Sequence, residues 1–177
     1  MDLGTYERHV DDHKDRVFAL ALTLLGQRQD AEDVTQETLI KLWDQGRALA
    51  PAHVGPWLLR VARNASYDLL RRRQVRQRVH GDEDGDPIAD RTVDDRAGDP
   101  HDDAERACFR RRLQQAIAHL PASIRTVVVL REIQGMAYDD IAQAVDRPLN
   151  TVKVYLHRGR KLLRTALDEE PRHAQAS

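Results

Sequence analysis

The stretch YDDIAQAVDRPLNTVKVYLHRGRKLLRTAL, residues 138–167, has the clearest structural pattern in this chain. Its first segment, Tyr138 to Val145, has helical periodicity, and so does the longer segment from Asn150 to Leu167. Asp146, Arg147 and Pro148 separate the two segments. A short helix, a tight turn and a longer basic helix are typical of a helix-turn-helix motif.

Several features of this stretch predict how the motif is built. Asp146 occupies a turn position that is expected to need a left-handed backbone, which aspartate tolerates at modest cost. Asn150 is expected to cap the second helix. The residues whose spacing would fill the angle between the two helices are Ile141, Ala142, Val145, Val152 and Leu156.

Outward from this motif, the charge of the 177-residue chain is divided into blocks. Residues 56–78 and residues 147–164 each have a net charge of +6, whereas residues 79–105 between them have a net charge of -9. The acidic block is rich in glycine and proline and poor in aliphatic residues. It is therefore predicted to be a mobile linker, because it could not bury enough apolar surface to offset its ordering entropy.

The periodicity elsewhere predicts an all-α protein of two small helical domains joined by this flexible acidic linker. The expected divisions are a first domain at 1–78, the linker at 79–104, a second domain at 105–168 and a tail at 169–177. In the first domain one helix is expected to stop at Gly26, and Asp30 is expected to cap a second that ends at Gly46. A loop from Pro51 to Pro56 should then lead into a third helix.

Several function classes are disfavoured by composition. No run approaches the roughly 18 apolar residues of a membrane span, and the N-terminus lacks a signal-peptide pattern, so we expect a cytoplasmic protein without membrane insertion. Cys108 is the only cysteine, which excludes an internal disulfide, and it is expected to be a small packed residue. His9 and His13 are spaced for a metal but lack the neighbouring glutamate of a zinc protease motif, so a solvated helix face is favoured. We predict no enzymatic activity, no catalytic residue, no metal and no cofactor.

Three segments together resemble a known family. They are QDAEDVTQETLIKLW at 29–43, WLLRVARNASYDLLRRR at 57–73 and LPASIRTVVVLREIQGMAYDDIAQAVDRPLNTVKVYLHRGRKLLR at 120–164. In this order they resemble an extracytoplasmic-function (ECF) sigma factor of the bacterial sigma-70 family, whose helical domains are called region 2 and region 4. The resemblance implies a protein that binds core RNA polymerase and directs it to promoters.

The resemblance places polymerase binding on the second helix. In the family this segment docks on the clamp helices of the largest polymerase subunit, and region 4 contacts the flap of the second-largest subunit. Composition alone would favour a capped, solvated helix face. The residues implied, here called the docking face, are Asp30, Glu32, Asp33, Gln36 and Glu37.

The third helix is implied to bind the promoter's minus-10 element, where one base is extruded from the opened strand. Asn64 can donate to and accept from a base edge, and the arginines can pair with phosphates. Residues 47–55 should form the other wall of the base pocket, but they contain no aromatic residue, and Trp57 is expected to be core. The residues implied, here called the minus-10 face, are Arg60, Arg63, Asn64, Asp68 and Arg71.

The last helix is implied to enter the major groove of the minus-35 element. Relatives usually have glycine, serine and arginine where this chain has Asn150, Val154 and Tyr155. The loss of two polar side chains favours DNA recognition through thymine methyl groups and backbone shape. The residues implied, here called the minus-35 face, are Thr151, Lys153, Val154, Tyr155, His157, Arg158 and Lys161.

The sequence alone leaves open an alternative function for the protein, two roles for the linker and one further partner. A stand-alone dimeric helix-turn-helix regulator would bind palindromic DNA without polymerase, but it would not need the acidic second helix. The acidic linker could either occupy a basic nucleic-acid channel of the polymerase or act as a solubilising spacer. An anti-sigma factor is a possible partner.

Overall fold

In this computed structural model the chain is described at residues 1–80 and 100–168. Every regular element in those two ranges is helical, which confirms the all-α prediction for them. Most of the predicted linker lies outside the described residues. The helices are α1 (Leu3–Leu25), α2 (Arg28–Gln45), α3 (Pro51–His80), α4 (Pro100–His119), α5 (Ala122–Val128), α6 (Tyr138–Val145) and α7 (Leu149–Asp168).

The ends of α1 and α2 agree only in part with the ends predicted from the sequence. Gly26 ends α1 with a left-handed φ of 76°, as predicted. The predicted cap at Asp30 is wrong, because α2 begins earlier, at Arg28, and the carboxylate of Asp30 binds Arg73 on α3 instead. Gly46 follows the last residue of α2, as expected, and opens a single 3-10 turn (Gly46–Ala48) with an ordinary φ of -70°.

The predicted loop from Pro51 to Pro56 is also wrong, because α3 already begins at Pro51. Proline suits the first position of a helix, where its missing N–H has no intrahelical partner to lose. Val54 and Pro56 are buried. Their burial against the rest of the first domain stabilises this additional helical turn.

In the second domain α5 continues as a π-helical turn (Val129–Ile133), in which the Gln134 N–H donates to the Val129 carbonyl at 3.1 Å. The helix before it, α4, begins at Pro100, inside the predicted linker. Since α3 also extends to His80, the two helices overlap both ends of the predicted 79–104 linker.

The helix-turn-helix motif is present. Asp146 has φ 54° and ψ 52°, which confirms the left-handed turn position. The expected cap at Asn150 is wrong, because α7 starts at Leu149 and the Thr151 N–H donates to the Pro148 carbonyl at 2.9 Å. Val152 and Leu156 are fully buried against Ile141, so the predicted packing between α6 and α7 is correct.

The two domains pack against each other. One apolar cluster includes Val17 and Leu58 of the first domain together with Met136 and Ile141 of the second. A smaller cluster of Leu120, Ile124 and Val128 lies inside the second domain. The arrangement brings α6 against α3, which carries the minus-10 face.

Candidate DNA-binding and polymerase-binding surfaces

The docking face lies on the exposed side of α2, with one exception. Glu32, Asp33, Gln36 and Glu37 are exposed, while the opposite side of the helix is buried. Asp30 is the exception, because only 15% of its side chain is exposed and its carboxylate is 2.6 Å from the Arg73 guanidinium. Asp30 therefore joins α2 to α3 rather than extending the exposed acidic surface.

Two ion pairs along α2 lower the repulsion between the acids of the docking face. Arg28 Nε is 2.8 Å from Glu32 Oε1, and Lys41 Nζ is 2.6 Å from Glu37 Oε1. Both pairs are four residues apart, on neighbouring turns of the helix. Such exposed pairs contribute only a few tenths of a kcal/mol each, about 0.3–0.5. The exposed acids can therefore exchange these partners for the cations of a binding protein at little cost.

On the minus-10 face four polar side chains of α3 form two separate pairs. Arg63 donates from Nε and Nη2 to the Asn64 Oδ1 atom at 3.1 and 2.7 Å. Arg71 Nη2 is 3.0 Å from Asp68 Oδ1. Because the Asn64 oxygen is engaged, the exposed amide of Asn64 has its N–H groups available to an acceptor.

A groove of about 460 Å³ runs between α2 and α3. Asp33 and Glu37 of the docking face line it together with Asn64 and Asp68 of the minus-10 face. Three further polar residues of this groove were not predicted from the sequence. Each is a charged or polar residue on a helix, and nothing else in the sequence marks it as part of a site. They are Lys41, Gln45 and Arg72.

Two arginines of the minus-10 face contact the second domain. Arg60 donates to the Gln143 carbonyl oxygen, from Nε at 3.0 Å, and Arg63 donates from Nη1 to the Ala144 carbonyl oxygen at 3.1 Å. Burial lowers the pKa of Arg63 from its usual value. These contacts cover part of the surface that is predicted to meet DNA.

The minus-35 face is largely open. Lys153, Val154, His157, Arg158 and Lys161 are exposed along one side of α7. Thr151 and Tyr155 are half-buried, and Tyr155 packs against both apolar clusters. Tyr155 also lines a cavity of about 410 Å³ between the domains, so it faces inward more than its neighbours do.

Contacts with the π-helical turn fix the position of α7. Arg160 donates from Nε and Nη2 to Glu132 Oε1 at 3.0 and 2.7 Å, and this hydrogen bonding raises the pKa of Arg160. Gly159 lies so close to α5 that a Cβ atom there would overlap the side chains of Val128 and Ile124. α7 is thus held on its inner side, away from the minus-35 face.

The environments of the cysteine and the two tryptophans differ. Cys108 is exposed, so its expected packing is wrong. Trp57 packs against the core as expected, whereas Trp43 is 45% exposed beside Tyr6.

The two histidines of α1 lie side by side. Their rings stack with centroids 6.2 Å apart, and burial lowers the pKa of His13. Among the described residues, no group of three or more histidine, cysteine, aspartate or glutamate side chains could hold a metal ion. In the same parts of the chain no helix is long and apolar enough to cross a membrane.

Two family descriptions match the chain. Residues 9–76 match Sigma-70 region 2, and residues 110–163 match Sigma-70, region 4. Both the docking face and the minus-10 face lie in the first match, and the minus-35 face lies in the second. The helix-turn-helix of α6 and α7 and the acidic helix α2 therefore both lie in regions that match the sigma-70 family.

Individual relatives narrow this class. The ECF RNA polymerase sigma factor SigW of Bacillus subtilis is 32% identical over 176 residues, covering 94% of this chain and 90% of SigW. The ECF RNA polymerase sigma factor SigE of Mycolicibacterium smegmatis is 34% identical over 167 residues, covering 93% of this chain but 62% of SigE. The chain belongs to the sigma-70 family of RNA polymerase sigma factors, as a member of its ECF group.

Solved structures share the fold. The sigma factor RpoE in complex with the anti-sigma factor NepR from Bartonella quintana superposes with a TM-score of 0.74 and 21% identity, covering 95% of this chain and 99% of that one. The structure of CnrH in complex with the cytosolic domain of CnrY gives a TM-score of 0.69 and 21% identity, covering 96% of this chain and 91% of that one. Because both sigma-70 regions and an ECF sigma factor match the chain, the alternative of a stand-alone dimeric regulator is not favoured.

Proposed function

We propose that this chain binds core RNA polymerase through α2 and directs it to promoters, with α3 at the minus-10 element and α7 at the minus-35 element. One observation carries the proposal: an exposed acidic helix and an exposed basic helix-turn-helix occur in the same chain. An operator-binding protein has use for the second feature only. The chain itself supplies recognition, and the polymerase supplies the chemistry.

The polymerase contacts follow from charge. The exposed acids Glu32, Asp33 and Glu37 are complementary to a basic partner such as the clamp helices, and such complementarity favours fast, specific association. Region 4 is proposed to meet the flap of the second-largest subunit. Because RpoE, one of the named structural relatives, is bound to the anti-sigma factor NepR, we also propose an anti-sigma factor as a partner for this chain. All of these partners are consistent with a cytoplasmic location.

The DNA contacts divide into two kinds. Arginines of the minus-10 face are proposed to hold phosphates, which position the strand, while Asn64 contacts a base edge, which specifies sequence. On α7, Lys153, Arg158 and Lys161 are proposed to bind phosphates around the major groove. Val154 is exposed between them, where it can meet a thymine methyl group.

Co-elution and transcription together test the proposal. Purified chain is mixed with core RNA polymerase on a sizing column, and the complex is then assayed on a library of promoter fragments. We expect a stoichiometric complex and transcripts from fragments that share two short elements. Binding of palindromic DNA as a dimer, with no association with core polymerase, would contradict the proposal and support the alternative regulator.

A further inference from the structure

The minus-10 face is covered by the end of α6. The Gln143 and Ala144 carbonyl oxygens that accept from Arg60 and Arg63 lie in the last turn of that helix. Carbonyl oxygens at a helix C-terminus lack full intrahelical partners, and the helix dipole is negative there. The guanidinium groups that are proposed to bind phosphates are thus held by other oxygen acceptors of the same chain.

Asp146 adds a negative charge at this point. Its Oδ1 atom is 3.8 Å from Nη2 of Arg60. Asp146 is also the only residue other than glycine with a positive φ in the described parts of the chain. Glycine at this position would relieve the backbone cost but would remove the carboxylate that faces Arg60.

Two further contacts hold the domains together on either side. The Tyr67 hydroxyl is 2.5 Å from the Thr126 hydroxyl, and burial raises the pKa of Tyr67. The side chain of Gln134 donates from Nε2 to the main-chain carbonyl of Arg16 on α1 at 2.9 Å, and Arg16 Nη2 donates to the main-chain carbonyl of Gln134 at 3.4 Å. The packing of the second domain against the first therefore depends on several separate contacts and not on one ion pair.

The two DNA-binding surfaces differ in this arrangement. Lys153, His157 and Arg158 on α7 are exposed, while Arg60 and Arg63 are engaged with α6. A duplex can approach the first surface without disturbing the contact between the domains. A single strand can use the second surface fully only after α6 has left it.

We propose that the free chain is closed over its minus-10 face, and that the α6 C-terminus and Asp146 compete with the single-stranded minus-10 element for Arg60 and Arg63. This inference rests on the proposed minus-10 role of those two arginines. Closure lowers the apparent affinity for the strand in proportion to the small fraction of open chain. Affinity for the minus-35 duplex is unaffected.

The test compares full-length variants that weaken the closed form. Asp146→Asn removes the charge and keeps a side chain that tolerates the left-handed backbone. A second variant combines it with Gln134→Ala, which removes the side-chain hydrogen bond from Gln134 to the Arg16 carbonyl on α1. Asp139→Asn is the matched control, because it makes the same charge change in the first turn of α6, away from Arg60. Energy transfer is measured between dyes on the exposed Cys108 and on a cysteine introduced by Glu7→Cys.

We expect Asp146→Asn to lower energy transfer and to tighten binding of a single-stranded minus-10 oligonucleotide up to about fivefold, equivalent to about 1 kcal/mol, because one exposed ion pair contributes no more than that. The double variant should bind more tightly still, and Asp139→Asn should match wild type. Excess oligonucleotide should open the wild-type chain, since linkage between binding and opening is reciprocal.

Two results would overturn the inference. One is a variant that opens by energy transfer but binds the oligonucleotide as wild type does. The other is unchanged energy transfer in the double variant. Failure of the wild-type holoenzyme to bind promoter DNA would count against the proposed function instead, and the energy-transfer measurement is independent of that failure.

Discussion

The Arg73 guanidinium on α3 lies 2.6 Å from the Asp30 carboxylate on α2, with 31% and 15% of the two side chains exposed. This is the least exposed ion pair among those described for the chain. It joins the helix that carries the docking face to the helix that carries the minus-10 face. We therefore expect this pair to fix the position of the docking face relative to the minus-10 face.

Replacing Asp30 with alanine should lower the free energy of unfolding by about 1–3 kcal/mol, because Arg73 would lose its charged partner in a partly buried site. Urea denaturation measures this loss. Glu32→Ala is the control, since its pair with Arg28 is exposed and its removal should change stability by about 0.5 kcal/mol or less. Equal losses for both variants would contradict the structural role of Asp30.

Reversing the charge of Asp33 and Glu37 to lysine should weaken binding to core polymerase without unfolding the chain, because both side chains are exposed. Competition binding to fluorescent core enzyme measures the effect. The control is Glu7→Lys with Asp15→Lys, which makes the same charge change on α1. Wild-type affinity of the Asp33 and Glu37 double variant would remove them from the docking face.

Asn64→Ala should cost about 1–3 kcal/mol of discrimination at one minus-10 base, the size of a base-edge contact. Arg71→Ala should instead weaken binding to every sequence alike. Holoenzyme binding to a set of promoters that differ at single minus-10 positions separates the two effects. A uniform loss for Asn64→Ala would assign it to the phosphate contacts.

Lys153→Ala and Arg158→Ala should reduce holoenzyme affinity for a duplex minus-35 element. Each should also flatten the salt dependence of binding, by about one counterion for every phosphate that the variant no longer neutralises. Binding to a single-stranded minus-10 oligonucleotide should stay as in wild type. Loss of both activities would show that α7 does not act as a separate upstream reader.

Gly159→Ala should destabilise the second domain by about 1–3 kcal/mol, because the added methyl group would overlap the side chains of Val128 and Ile124. Thermal unfolding measures the change. Gly4→Ala in the first turn of α1 is the matched control, since its new methyl group would meet Asp2 at an ordinary 3.7 Å. Equal stability of the two variants would indicate that α7 can shift away from α5.

Local signals in the sequence predicted much of this fold. Gly26 and Asp146 mark left-handed positions, and the spacing of Ile141, Val152 and Leu156 predicted the packing between α6 and α7. The cap at Asp30 was predicted wrongly, because its carboxylate has a distant partner, Arg73, that no local pattern reveals.

The covering of the minus-10 face had no sequence signal. Arg60 and Arg63 bind main-chain carbonyl oxygens, which every residue has, so the identities of Gln143 and Ala144 do not indicate the contact. The helical start at Pro51 was missed for a related reason. It depends on the burial of Val54 and Pro56 by other helices, and not on the proline-rich composition that predicted a loop.

The division of α7 into an inner and an outer side has a consequence for how this protein can change. Val152, Leu156 and Gly159 hold the helix in place, whereas Lys153, Val154, His157 and Arg158 point outward. Substitutions on the outer side leave the packing untouched. With the proposed role of α7, promoter preference can therefore diverge between gene copies, or be redesigned for orthogonal gene circuits, while the scaffold of the second domain stays the same.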